Sequence, residues 1–212
     1  EHENFVQVWL RVVHDLKAPT RAIQGTLEFI EEDAPRDLVP PIASHLLSIR
    51  SHCGEINALL DRTTTLLLMA MHPLQLAEVD VAAVARTIFE AKKPTHRLEA
   101  ELFAPDSAPI VADPALVSLV LAELIENSLT SLALRYRSPE GCPRIILEQQ
   151  GTKWVLSDNG VGFDPQYSLQ MVEPFEKLHS KRDYPGNGLG LALAKAAVAR
   201  HGGTLAVHGE EG

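Results

Sequence analysis

Apolar residues recur at Phe5, Trp9, Val12, Leu16, Ile23 and Leu27, the alternating three-and-four spacing of a helix with one buried seam. The spacing predicts a helix from near Glu3 to about Asp33, stopped by the proline- and aspartate-rich stretch from Asp33 to Pro41. A second seam, Ile42, Leu46, Ile49, Cys53, Ile56, Leu60 and Leu67 with Thr63 filling a place, predicts a second helix that ends at Met71-His72-Pro73. Two long helices on a short loop pack antiparallel. One hairpin covers its seam on one side only, and two hairpins complete a four-helix bundle, so the pattern predicts a homodimer. A hairpin resting on the chain's own second domain is the alternative.

After Pro73 the heptads give way to mixed elements. Short strands are expected at Glu78 to Val81, Leu98 to Phe103 and Ile110-Val111, with a helix from Val81 to Ala91. Asp113 with Pro114 is a helix start, and the helix should reach about Tyr136. Arg144 to Gln149 and Lys153 to Ser157 read as a hairpin turning at Gly151, then come a helix from Leu191 to His201 and a strand at Thr204 to His208. The pattern divides the chain into residues 1–72 and 73–212, a helical hairpin and a mixed α+β domain.

The 212 residues are 45% hydrophobic and 22% charged, globular values that exclude disorder and fibrous repeats. A net charge of −9 excludes a general nucleic-acid binder, so an anionic substrate must meet a local basic patch. Cys53 and Cys142 are too few for a disulfide framework and lack metal-ligand spacing, which predicts two buried small hydrophobes in a reducing cytoplasm. No apolar run looks long enough to cross a bilayer and no signal peptide opens the chain, which predicts a soluble piece without direct membrane insertion. Its start at Glu1 rather than Met marks it as part of something longer.

Candidate chemistry begins at His14-Asp15-Leu16-Lys17-Ala18-Pro19. His14 lies off the apolar seam, and Arg11 and Lys17, three residues away on either side, share its exposed face. Two nearby cations disfavour a third charge, leaving a neutral imidazole with a free lone pair, and could receive an incoming phosphate. Pro19 cannot donate to the Asp15 carbonyl, so the helix should bend or loosen there. Taken alone, any of the nine histidines reads as an ordinary surface residue. The second half of the chain changes that.

Gly186, Gly188 and Gly190 precede a helix, where bare N–H groups and the helix dipole favour a phosphate. Their spacing is wrong for a dinucleotide fold, since the third Gly would fall at Leu191, and no Gly-Lys-Ser/Thr is present. Asp158 with Gly160 and Gly162 offers a carboxylate that can accept from a purine's exocyclic amine; the same run is also the pattern of a plain turn. Asn127 supplies a neutral oxygen for Mg²⁺, with Glu123 one helical turn before it. Lys181 and Arg182 are the local cations for a phosphate tail.

Together these stretches resemble the catalytic half of a sensor histidine kinase: a dimerisation and phosphotransfer hairpin followed by a Bergerat-type (GHKL) ATP-binding domain, a two-layer α/β sandwich. The resemblance rests on His14 to Pro19, Glu123 to Ser128, Asp158 to Phe163, Glu173-Pro174-Phe175 and Gly186 to Leu191, in that order. The combination of His14 to Ile23 with Phe175 to Ser180 and Tyr184-Pro185-Gly186 further resembles the output modules of phytochrome-like kinases.

The resemblance implies roles. His14 attacks the γ-phosphate of ATP with Asp15 as base or orienter, although direct neighbours on a helix do not face each other. Asn127 holds Mg²⁺ with Glu123 as metal-shell or base residue, Asp158 reads adenine, and Phe175, Gly186, Gly188, Gly190 and Leu191 border the phosphates. The phosphoryl group then passes to an aspartate on a response-regulator receiver, under an upstream sensor domain not in this chain. Departures are Thr130 where the family has Lys, Asn187 where Thr or Ser is usual, Ala18 where phosphatase-active relatives carry Thr or Asn, and no further glycine box or closing strand by Gly212. Losing that Lys costs roughly 10²–10³ in rate by analogy with an oxyanion donor, unless Arg135, Arg137, Lys181 or Arg182 replaces it. The alternative is a non-catalytic dimeric phosphotransfer adaptor with a degraded ATP site.

Overall fold

The computed structural model describes residues 2–33, 39–71, 73–96, 98–136, 141–173 and 188–210, with backbone alone for 2–7, 33, 39–41 and 70. The chain divides into two compact units, Glu1–His72 and Pro73–Gly212.

The first unit is a pair of long helices, α1 (His2–Asp33) and α2 (Val39–Met71). Lys17 meets Asp61 at 2.5 Å, Thr20 meets Asn57 at 2.7 Å and Arg50 meets Glu31 at 2.6 Å, which fixes an antiparallel register. Of the bend or loosening expected at Pro19, a loosening is not seen, since α1 stays α-helical through it. Proline removes one bond of the ladder, while the hydroxyl of the next residue, Thr20, reaches Asn57 of α2 at 2.7 Å, with the Lys17 carbonyl as its alternative acceptor at 2.9 Å.

The seam that this hairpin buries is not the whole seam expected from the sequence. Val13, Thr20 and Leu27, each seven residues apart, are buried on α1, and Leu46 and Cys53 on α2. Trp9 (44% exposed), Leu16 (49%) and Ile23 (44%) lie in a second heptad stripe beside it, and Ile49 and Ile56 are similarly exposed on α2. An apolar surface of three positions per heptad is wider than one neighbouring helix can cover.

In the second unit β1 (Ala77–Asp80) pairs antiparallel with β3 (Pro109–Ala112). A second sheet has the order β2-β4-β5, with β2 (Glu101–Phe103) parallel to β4 (Arg144–Gln150) and β5 (Lys153–Asp158) antiparallel to it. The β4–β5 turn places Gly151 at φ +63°, a left-handed conformation that favours glycine. Helices α3 (Val81–His96), α4 (Pro114–Arg135) and α5 (Gly190–Arg200) complete an α+β fold.

Alternation along β4 buries Ile145 and Leu147 and leaves Glu148 exposed, so one face of the sheet meets the helices. The core joins these to Ala82, Ala85 and Phe89 of α3 and to Leu121, Ile125, Leu129 and Leu132 of α4. Burying each large aliphatic chain contributes about 1.5–3 kcal/mol. α5 adds Leu193, Ala194 and Ala197 and packs on α4.

Four expectations need correction. α3 runs past Ala91 and through Pro94 because Lys92 and His96 are both held by Glu126 of α4. β2 begins only at Glu101, opposite the first residue of β4. Thr204 to His208 makes no ladder; alternate residues are half-buried, but no strand edge pairs with it among the described residues. Cys142 is exposed rather than buried, whereas Cys53 is buried. In addition, α4 is long and apolar enough by composition to cross a membrane, yet Ile125, Leu129 and Leu132 are fully enclosed in this core.

Candidate functional site

α4 is fixed at its start. The Asp113 carboxylate accepts from Ala115 N at 3.0 Å, Leu116 N at 3.2 Å and Gln75 N at 2.9 Å. The Gln75 N–H and then the two helix N–H groups, outweighing desolvation, hold its carboxyl below the usual range. The helix so placed carries Glu123 and Asn127 one turn apart, both half-buried. Glu126 turns to α3, where Lys92 lies 2.7 Å and His96 3.0 Å away. Burial pushes its carboxyl up, but these two partners outweigh that and leave it lowered.

At the end of β5, Asp158-Asn159-Gly160 is gripped from several sides. Ser128 Oγ donates to Asp158 Oδ2 at 2.7 Å, and Gly160 N donates to Oδ1 at 2.9 Å. Asn159 accepts from Arg144 N at 2.9 Å and donates to the Tyr136 hydroxyl at 2.8 Å and the Cys142 carbonyl at 3.0 Å. Arg135 donates to the Gly160 carbonyl at 2.8 Å, and Val161 N donates to Ser131 Oγ at 3.2 Å. A Cβ at Gly160 would stand 2.0 Å from Ser131 Oγ, so only glycine fits against α4. The run is therefore docked to a helix, not a free hairpin turn, and Asp158 keeps an exposed side chain.

Gly162 and Gly188 have φ of +67° and +70°, and Gly190 opens α5 with Leu189 buried and Leu191 half-buried. Phe175, Lys181, Arg182, Gly186, Asn187 and Arg137 lie outside the described residues. The best-formed grooves among the described residues are lined by Phe103, Ile146 and Trp154 or by Arg86, Phe89 and Leu102, not by Asp158 or Asn127. The first also takes in Glu148 and Gln149 of β4, and the second lies between β2 and α3 with Glu90 and Lys93 on its wall.

In the first unit His14 is exposed, and its Nδ1 lies 3.2 Å from Asp15 Oδ1. The two exposed side chains meet although direct neighbours on a helix do not share a face. Lys17 is engaged by Asp61, so the expected pair of free cations around His14 is reduced. Arg135, a candidate substitute for the missing Lys, is likewise spent on the Gly160 carbonyl. Thr130 is buried, and its hydroxyl bonds back to the Glu126 carbonyl at 2.8 Å.

Ser131 escaped the sequence reading, and Ser128 and Asn159 stood in it without a role. Their signal was present: polar residues at two positions of a helix whose period marks them as interior, where a hydroxyl must find a partner.

Residues 112–212, which include Asn127, Asp158 and α5, match the family described as histidine kinase-, DNA gyrase B- and HSP90-like ATPase. Sensor protein CreC of Escherichia coli is 28% identical over 208 residues, 94% of this chain and 42% of that protein. These matches support a sensor histidine kinase catalytic module. Cyanobacterial phytochrome A of Nostoc is 32% identical to this kinase module over 150 residues, 66% of the chain and 19% of that protein. The alginate biosynthesis sensor KinB of Pseudomonas aeruginosa is 29% identical over 218 residues, 96% of the chain and 34% of that protein. The module thus spans less than half the length of the curated relatives it matches. Full-length ShkA, crystallised with AMPPNP, superposes with a TM-score of 0.71 over 97% of this chain and 43% of that one; at 20% identity the likeness is one of fold.

Proposed function

We propose that this module performs the transfer steps of a two-component kinase in the cytoplasm, using ATP bound by residues 73–212 to phosphorylate His14 in residues 1–72. The observation that carries this reading is the Asp158 carboxylate, aimed by Ser128 and Gly160 and open on its other side, beside the helix that carries Asn127. An adenine amine needs an exposed, oriented acceptor with no side chain in the way, and this turn supplies one. The residues therefore fit an adenine nucleotide. They also fit a hard cation, since Asn127 offers an amide oxygen one turn from the Glu123 carboxylate.

Asn127 would hold Mg²⁺, with Glu123 beside it; when bound, the ion neutralises charge on the transferring phosphate. Phe175, Lys181, Arg182, Gly186, Gly188, Gly190 and Leu191 are assigned to the phosphate tail by the resemblance, with support from the left-handed Gly188 at the head of α5. In the first unit a carboxylate can only accept, so the His14–Asp15 contact selects the tautomer protonated on Nδ1. That leaves the lone pair on Nε2. Nε2 forms the bond to the γ-phosphorus as the bond to the ADP oxygen breaks, and Asp15 stabilises the charge that develops on the ring. A receiver aspartate then forms an O–P bond as the N–P bond breaks. The exposed stripe of Trp9, Leu16, Ile23, Ile49 and Ile56 supports a homodimer through the hairpin. No observation on the described residues favours the adaptor.

The test is incubation with γ-labelled ATP and Mg²⁺ beside His14→Ala and Asn127→Ala. Acid-labile, base-stable label on the wild type alone is expected. Nucleotide binding without label in the wild type would leave the adaptor, and free phosphate independent of His14 would leave an ATPase.

A further inference from the structure

Ser128 is buried, at 3% exposure, and its hydroxyl proton goes to Asp158 Oδ2 at 2.7 Å. The other oxygen, Oδ1, takes the Gly160 N–H at 2.9 Å. One donor on each oxygen fixes the plane of the carboxylate, because rotation about its last bond breaks both contacts together. Each oxygen has about two lone-pair sites, so each keeps one for a ligand on the exposed side. With the Ser128 donor gone, one bond remains and the plane can turn about it.

The base is sensitive to that plane. A 6-amino purine presents a donor to the carboxylate, whereas a 6-oxo purine presents an acceptor and meets repulsion between two sets of lone pairs. Discrimination is sharp only while the carboxylate cannot swing away, since a site built to pair a substrate's N–H rejects the analogue lacking it far better than a slack one. Ser128 also directly follows Asn127, so the proposed metal-holding residue and the group that aims the base reader share one turn of α4.

We infer that Ser128 is a specificity-determining positioning residue, whose hydroxyl locks the Asp158 carboxylate in the plane that accepts an adenine amine and rejects a 6-oxo purine. The inference rests on the nucleotide reading above, and its test separates the two. ADP and IDP, which avoid turnover, are titrated calorimetrically with Mg²⁺ against the wild type and Ser128→Ala, each checked for native circular dichroism.

The wild type should prefer ADP. Loss of one hydrogen bond to a charged group should lower the ADP-to-IDP affinity ratio about tenfold, the equivalent of about 1.4 kcal/mol. Ser128→Cys, which keeps the buried volume but has a far weaker donor, should lower the ratio in the same direction and serves if the alanine variant does not fold. An unchanged ratio in a folded variant, or equal loss for both nucleotides, overturns the role of Ser128 and leaves the nucleotide reading intact. A wild type that binds ADP and IDP alike overturns the adenine reading itself, and this inference with it.

Discussion

Thr20 Oγ1 donates to Asn57 Oδ1 at 2.7 Å across the hairpin, in the stripe that otherwise buries Val13 and Leu27. The Lys17 carbonyl, 2.9 Å away, competes for the same single proton, and Gln24 reaches Asn57 only at 3.5 Å. Asn57 therefore depends on Thr20.

Thr20→Val should cost about 1–3 kcal/mol, because it leaves a partly buried amide without its partner, while Thr20→Val with Asn57→Leu should recover most of that loss. Urea unfolding followed by Trp9 fluorescence in a Trp154→Phe background, at fixed protein concentration, checks both. Equal destabilisation by the single and double variants would show that the pair is replaced by solvent rather than by apolar contact.

Asp113→Ala removes the acceptor for two helix N–H groups and for Gln75, and should destabilise the second unit by about 1–2 kcal/mol near neutral pH. The folded carboxyl titrates below the unfolded one, chiefly through the Gln75 N–H. Its contribution is accordingly complete above the unfolded value of about 3.9 and disappears as pH falls through the lower folded value. The stability gap between wild type and variant should be flat around neutrality and close in acid below about pH 4. A gap that survives at the lowest accessible pH would assign the effect to something other than the ionised cap.

Glu126→Gln gives a contrast. Its carboxyl is also lowered, and two partners hold it, yet the side chain is 38% exposed. Solvent screening limits the loss to under about 1 kcal/mol. The effect should shrink further in high salt, as that of the Asp113 cap should not.

The hairpin, the start of α4 and the β4–β5 turn were legible because each is specified locally, by heptads, by Asp113-Pro114 and by Gly151. Asp158 and Gly160 stood out as candidate residues, but their hold on α4 through Ser128 and Ser131 did not. What escaped was whatever depended on a distant partner. The helix expected to end at Ala91 runs on because Glu126, distant in sequence, holds Lys92 and His96. The periodicity of α1 shows that Trp9, Leu16 and Val13 are apolar, but not which of them faces α2. Ser128 and Ser131 sit among apolar residues, and only the folded turn shows which donor or acceptor each was placed to serve.

Gly160→Ala should damage the site more than any single loss of a donor. Its Cβ would collide with Ser131 Oγ and approach Asp158 Oδ1 to 2.7 Å, so the turn must lift off α4. Overpacking of this kind costs about 1–3 kcal/mol. Adenine-nucleotide affinity should fall well over tenfold, since both bonds that aim Asp158 are disturbed. Adding Ser131→Gly removes the worst clash and should restore part of the stability, which calorimetry of the two variants measures directly. No recovery would mean that the strain lies within the turn itself rather than against the helix.

Ile23→Glu tests the surface that one hairpin leaves uncovered. Ile23 is 44% exposed in the single chain and sits in the heptad Trp9, Leu16, Ile23, Ile30, so a charge there disturbs the isolated hairpin little. If a second copy covers the stripe, two glutamates, one from each copy, are forced into an apolar interface, and the burial lost, about 1 kcal/mol or more per isoleucine, is joined by the cost of desolvating charge. Sedimentation at micromolar concentration should then show the variant at half the mass of the wild type, with the helical content of the two differing little. A variant that keeps the wild-type mass would place the contact on another face, and the wide apolar surface of α1 would need a different occupant.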